Sequence, residues 1–181
     1  MLFELSILEL NGTWRLIAMN HDNDPLAYLI TWTVYGTHLQ GSTKGWRRRR
    51  GHIRPPARLL ENWRRSRLNH AVIPLSPEMR SCVESQIERH CDHRGWRLWA
   101  RNARTTHVHA AISARDINGR VIRDQLKAYC TRGLRERWDF FQNRPVWTEL
   151  GDWRCLNSEE ALAAAIAYIR NAQDLKYKDV E

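Results

Sequence analysis

Two runs of extended character, Trp96–Ala103 and His107–Ala114, follow each other with only a short link through Thr105 and Thr106, and a helical run lies on either side. Strands that close in sequence leave no room for a crossover, so they pair antiparallel. The flanking helices must then bury their apolar faces against that sheet. The first helix has clear ends. Ser76 is its cap, Pro77 and Glu78 open its first turn, and Gly95 stops it. Met79, Cys82, Val83, Ile87 and Cys91 keep helical spacing between those ends. After the strand pair, Asp116–Ile117–Asn118–Gly119 is a turn. A helix from about Arg120 to Trp138 follows, with Ile122, Leu126, Tyr129, Cys130 and Leu134 on its apolar stripe.

The outer elements complete the pattern. Leu26–Leu39, rich in Tyr, Ile, Trp, Thr and Val, has the composition of a buried strand, and Gly36 marks its bend or end. Ala71–Leu75 is a short strand candidate. Val146–Leu156 is extended, and Ser158, Glu159 and Glu160 open a last helix that runs to about Asp174. The order predicts an α+β fold of ferredoxin-like or RRM-like type, an antiparallel sheet covered by helices.

Between Gln40 and His70 the chain turns polar and basic, with Trp46–Arg47–Arg48–Arg49–Arg50 and Trp63–Arg64–Arg65, and Pro55–Pro56 punctuates it. We read it as an insertion with a short helix near Pro56–Arg67. The 181-residue chain carries a formal charge of +9, largely from arginine, and nine tryptophans. Such a balance favours a polyanionic partner, since phosphate contacts dominate nucleic-acid affinity and indole and guanidinium planes both stack on bases.

Residues 1–18 stand apart, cut off by the polar stretch Asn20–Pro25. They read as a mis-assigned or loosely attached extension, with Met19 as an alternative start and residues 19–181 as one domain. Glu4 and Glu9 argue against a secretory signal. Cys82, Cys91, Cys130 and Cys155 form no CxxC pair, and no apolar run reaches membrane-spanning length, so a reduced, cytoplasmic setting is expected.

His107 and His109 lie two apart on a strand and project from one face, while Val108 and Ala110 face the core. Two imidazoles so placed can share a divalent ion, although an HxH pair alone is a weak signal. The block Arg104–Ile112 resembles the His-hydrophobic-His motif of the HUH endonucleases, most nearly the single-tyrosine transposases of insertion sequences and their REP-associated relatives. The later elements of that family recur in order: the helix Val121–Leu134, the segment Pro145–Val146–Trp147, and Ala167–Tyr168–Ile169–Arg170–Asn171–Ala172–Gln173. The likeness spans roughly Leu26–Gln173 in element order, with residue identity confined to the two short blocks.

The resemblance implies that Tyr168 is a nucleophile and that His107 and His109 hold Mg²⁺ or Mn²⁺. The family's tyrosine is usually followed four residues later by Gln or Asn, and here that position is Ala172. In a regular helix Gln173, five on, points well away from Tyr168 at ~100° per residue. A distorted helix end, Asn171 or water would therefore have to complete the metal site, with Gln173 as the candidate third ligand. Leu162, Ile166 and Ile169 form the last helix's apolar stripe, and Ala161, Ala164, Ala165 and Ala172 leave space beside Tyr168. Tyr129 is the rival tyrosine, but it falls on an apolar stripe.

Trp46, Arg47, Arg48, Arg49, Arg50, Trp63 and Arg64 are candidates for holding a DNA strand, together with Lys127 and Arg132 read as exposed. The expected activity is nicking and rejoining of single-stranded or hairpin DNA through a 5′-phosphotyrosine link. The competing expectation is a relative that binds structured nucleic acid without cutting. A generic HxH hydrolase lacks a second cluster, because His38, His70, His90 and His93 are dispersed. Homodimer formation stays open, and relatives include dimers whose tyrosine helix serves the partner's histidines.

Overall fold

The computed structural model describes residues 24–43, 46–47 and 52–172. The proposed extension 1–18, the alternative start Met19, Arg48–Arg50 and Gln173 lie outside the described residues. In chain order the elements are β1 (Ala27–Thr33), β2 (Trp46–Arg47), β3 (Ile53–Arg54), α1 (Arg58–Ser66), α2 (Pro77–Arg94), β4 (Arg97–Ala103), β5 (His107–Ser113), α3 (Gly119–Arg137), a 3₁₀ turn (Asp139–Phe141), β6 (Asp152–Leu156), α4 (Glu159–Ala167) and a π-helical turn (Tyr168–Ala172).

β4, β5, β1 and β6 lie in that order in one sheet, and every neighbouring pair is antiparallel. With α2 and α3 as the connections, this is the expected ferredoxin-like arrangement. The hairpin β4–β5 sits beside β1, which becomes a central strand and explains its apolar composition.

Alternation along the strands sends side chains to two faces. Tyr28, Ile30 and Trp32 of β1 and Val108, Ala110 and Ile112 of β5 enter the main core. Met79, Val83 and Ile87 of α2 and Ile122, Leu126 and Leu134 of α3 close over them. Burying each aliphatic side chain of this size contributes about 1.5–3 kcal/mol, so this layer dominates the stability. On the other face a smaller cluster joins Ala27, Ala100 and Ala111 to Leu156, Leu162, Ala165 and Ile169. α4 therefore lies across the second face, and the alanines beneath it let it approach closely.

The helix ends follow the sequence signals. Ser76 accepts a hydrogen bond from the Met79 amide, and Gly95 takes the left-handed conformation (φ +64°) that a cap there requires. Asn118 and Ser158 cap α3 and α4 in the same side-chain manner as Ser76.

Two expectations are corrected. Ala71–Leu75 forms no strand; the Leu75 amide donates to Thr105 O (2.8 Å), tying that stretch to the β4–β5 link rather than to a ladder. The last helix is not regular to its end, for α4 stops at Ala167 and the chain widens into the π turn.

The 40–70 insertion contains the small hairpin β2–β3 and α1. No residue of α1 is buried. The insertion folds back on itself, for the Ala57 amide donates to Gly41 O (2.9 Å), and its end meets the body where the Asn69 amide donates to the Tyr35 hydroxyl (3.2 Å). No described helix is long and apolar enough to cross a membrane.

Candidate active site

The second face of the sheet carries the polar row from which the site is built. The ladder sets Thr31 opposite His109 and Thr33 opposite His107. On the far side of β5 it sets Asn102 opposite His109. Directly opposed residues share a face, so Thr31, His109 and Asn102 run across three strands in one line.

The two imidazoles stand with ring centroids 4.9 Å apart and nearly perpendicular. His109 is 6% exposed, and its Nδ1 lies 2.8 Å from Thr31 Oγ1. Thr106 Oγ1 is 3.1 Å from Nδ1 of the more accessible His107. Burial, then the neighbouring His107 and Arg104, depress the His109 pKa to about 4. His109 is therefore neutral at physiological pH, the form in which imidazole can ligate a metal.

Tyr168, at the first position of the π turn, completes the group. Its ring sits edge-on to His109, with centroids 5.5 Å apart. It is 42% exposed, whereas Ile169 beside it is wholly buried. The histidines and the tyrosine of a single chain thus meet without a second subunit.

The fit to a metal is specific but incomplete. Among the described residues no three His, Cys, Asp or Glu side chains cluster as a ligand set. Two imidazoles would have to be joined by amide oxygen, water or substrate oxygen, a donor set that suits Mg²⁺ or Mn²⁺ in a catalytic role.

The rival tyrosine belongs elsewhere. Tyr129 stacks on His90 at 3.9 Å on the α2–α3 side, and the exposed Arg132 covers it at 4.6 Å.

Two of the strand-holding candidates are corrected. Trp46 is 7% exposed, with its indole N–H donated to Pro55 O (2.8 Å), so its ring packs the insertion instead of offering a stacking surface. Lys127 is half-buried, and its ammonium donates to the carbonyls of Thr148, Glu149 and Leu150 at 2.7, 2.9 and 3.0 Å. Its ammonium is engaged in clamping a loop. Trp63, by contrast, is 51% exposed on α1, with the guanidiniums of Arg64 and Arg67 at 5.2 and 5.4 Å from its ring. Arg64 also donates to Gln40 Oε1. The Arg47 backbone lies in β2.

No known protein family matches the chain. No curated protein matches it either. Among solved structures, one similar chain is a "putative transposase" from Deinococcus radiodurans R1, at 12% identity and a TM-score of 0.45, over 86% of this chain and 97% of that one. A likeness so distant carries no functional weight, and the reading below rests on the geometry of the site.

Sequence reasoning missed Thr31, Asn102 and the hydroxyl of Thr106. Thr31 and Asn102 become relevant only through the register across β1, β5 and β4. Thr106 had a local signal, since it directly precedes His107.

Proposed function

We propose that this chain nicks and rejoins single-stranded DNA in the manner of the HUH single-tyrosine transposases, with His107 and His109 holding a divalent metal and Tyr168 as nucleophile. The observation that carries this reading is the edge-on approach of Tyr168 to His109, with His107 alongside. A phenol has an ordinary pKa of about 10 and is a weak nucleophile unless its target is polarised. Mg²⁺ or Mn²⁺ bound here would withdraw charge from the scissile phosphate.

In the reaction, Tyr168 Oη attacks the phosphorus, the phenolic proton leaves to solvent, and the P–O3′ bond breaks. The departing oxygen takes a proton and becomes a 3′ hydroxyl, while the 5′ phosphate stays on the tyrosine. A 3′ hydroxyl can later displace the tyrosine, so rejoining needs no nucleotide cofactor. The residues of the chain serve mainly to position and neutralise. With the His109 Nδ1–H donated to Thr31 Oγ1, Nε2 carries the lone pair for the metal.

At Ala172 the chain departs from the family pattern, and Gln173, outside the described residues, stays the proposed third protein ligand on the strength of the sequence resemblance alone. We assign the DNA strand to the exposed side of α1 at Trp63, with Arg64 as a phosphate contact there and Arg132 as a further one on α3.

The test is incubation with hairpin-containing single-stranded DNA and Mn²⁺, read on a denaturing gel. A covalent adduct is expected, abolished by Tyr168→Phe and retained by Tyr129→Phe. His107→Ala should lose the adduct and keep much of the binding. Wild-type protein that binds the DNA without forming an adduct would instead establish the binding-only reading.

A further inference from the structure

We propose that Asn102 is a positioning residue, whose side-chain amide latches the π turn and so sets Tyr168 against His109. The inference rests on the reading of Tyr168 and the two histidines as one catalytic centre. It adds a residue that touches none of the reacting groups.

The geometry is direct. Asn102 Nδ2 donates to the carbonyl of Ile169 at 2.9 Å, across 67 positions of sequence. Ile169 immediately follows Tyr168 and lies inside the π turn. Asn102 is also the β4 residue opposite His109. One short row of the sheet therefore grips both halves of the centre, with Thr31 holding the His109 ring at one end and Asn102 holding the tyrosine turn at the other.

A latch of this kind is needed because the edge-on contact with His109 holds the Tyr168 ring on one side only. Tyr168 is 42% exposed, and the deep anchor of the turn is the neighbouring Ile169 side chain. A buried side chain at one position leaves the turn able to rewind toward regular α-helix, which would rotate Tyr168 about the axis. π turns are rare, and distortions of this kind arise where a side chain enters the helical hydrogen-bond ladder. Asn102 supplies a side-chain donor at the Ile169 carbonyl, inside such a turn. Arg170 adds a longer contact, 3.4 Å from Trp99 O, on the same strand. The turn is thus tied to β4 at Ile169 and at Arg170 by side-chain hydrogen bonds.

Asn102→Leu keeps the bulk and removes the donor. Asn102→Ser is smaller and too short to reach. Two measurements separate latching from general stability. The first is the single-turnover rate of adduct formation at saturating hairpin DNA and Mn²⁺, set beside DNA affinity and melting temperature. The second needs no catalysis: the NMR shift of the His109 ring protons, which the Tyr168 ring current perturbs, with Tyr168→Leu as the reference for its loss.

Both variants should bind DNA as the wild type does and slow adduct formation by up to about 100-fold, the cost of an ångström-scale misplacement. Both should move the His109 shift toward its Tyr168→Leu value. Asn102→Gln, with the amide on a longer arm, should recover part of each. The proposal is overturned if the folded variants form adduct at the wild-type rate, or if their His109 shift stays at the wild-type position. Were wild-type protein to form no adduct, the nicking reading would fail while the shift measurement still judged the latch.

Discussion

Thr31 Oγ1 and His109 Nδ1 lie 2.8 Å apart, directly opposed across the β1–β5 ladder. With the His109 Nδ1–H donated to Thr31, that contact would orient the imidazole and leave Nε2 free for the proposed metal. Removing such an outer partner typically weakens metal binding ~10–100-fold. Thr31→Val, which keeps the branched shape, should therefore weaken Mn²⁺ binding by about that factor, followed by the electron-spin resonance of the free ion. Thr31→Ser should restore most of it. Unchanged affinity in Thr31→Val would show that the hydroxyl does not govern the ligand.

Acid should destabilise the metal-free protein in a defined window. The His109 pKa is held at about 4 in the fold, mainly by burial, against an ordinary value near ~6.5. Between those values the unfolded chain takes up a proton that the folded chain refuses, so the contribution is complete above about pH 6.5 and falls away as pH drops toward 4. The loss is on the order of 3 kcal/mol. Burial lowers the His90 pKa as well, so the difference between wild type and His109→Gln isolates the site. Urea unfolding at neutral pH and between pH 6.5 and 4 should show a shallower pH slope in the variant; equal slopes would contradict the assignment.

What the sequence made legible followed from signals that act locally. Ser76, Pro77 and Gly95 mark α2 because capping and positive φ are decided within a turn. The alternation around Val108 and Ala110 located β5 and its core face in the same way. Ala71–Leu75 was misread because a short apolar run satisfies strand composition whether or not a partner strand is within reach. Trp46 and Lys127 were misread because tryptophan and lysine are amphipathic, and only the fold shows whether the ring or the ammonium ends in solvent. The π turn had no local signal at all. Its identifiable partner, Asn102, is distant in sequence and is brought to Ile169 by the sheet register.

The two tryptophans of the insertion should separate cleanly. Trp63 is exposed with two guanidiniums near its ring, whereas Trp46 is buried with its N–H donated to Pro55 O. Trp63→Ala should cost about 1–3 kcal/mol of single-strand binding, the usual range for loss of one stacked base, with little change in melting temperature. Trp46→Ala should lower the cooperativity of unfolding in the insertion, seen as faster hydrogen exchange over β3 and α1. Fluorescence quenching by oligothymidine reports the first effect. An unaltered affinity in Trp63→Ala would remove α1 from the DNA path.

Lys127 offers the sharpest contrast between a charge that binds and one that builds. Its three hydrogen bonds run to consecutive carbonyls, Thr148, Glu149 and Leu150, and burial lowers its pKa. Those carbonyls belong to the segment that leads into β6, and the Thr148 hydroxyl lies 2.6 Å from Thr33 Oγ1, opposite His107 on the sheet. Lys127→Met keeps most of the stem and leaves the carbonyls without their donor. Hydrogen bonds from a charged group contribute about 1.5–3 kcal/mol each before the ammonium's own desolvation is offset, so a net loss of roughly 2–3 kcal/mol is expected in urea unfolding. A phosphate-contacting lysine would behave differently. Its removal would flatten the dependence of DNA affinity on salt by about one unit and leave stability alone. The structural assignment therefore predicts a destabilised protein whose salt slope matches the wild type, and the opposite pair of results would return Lys127 to the DNA surface.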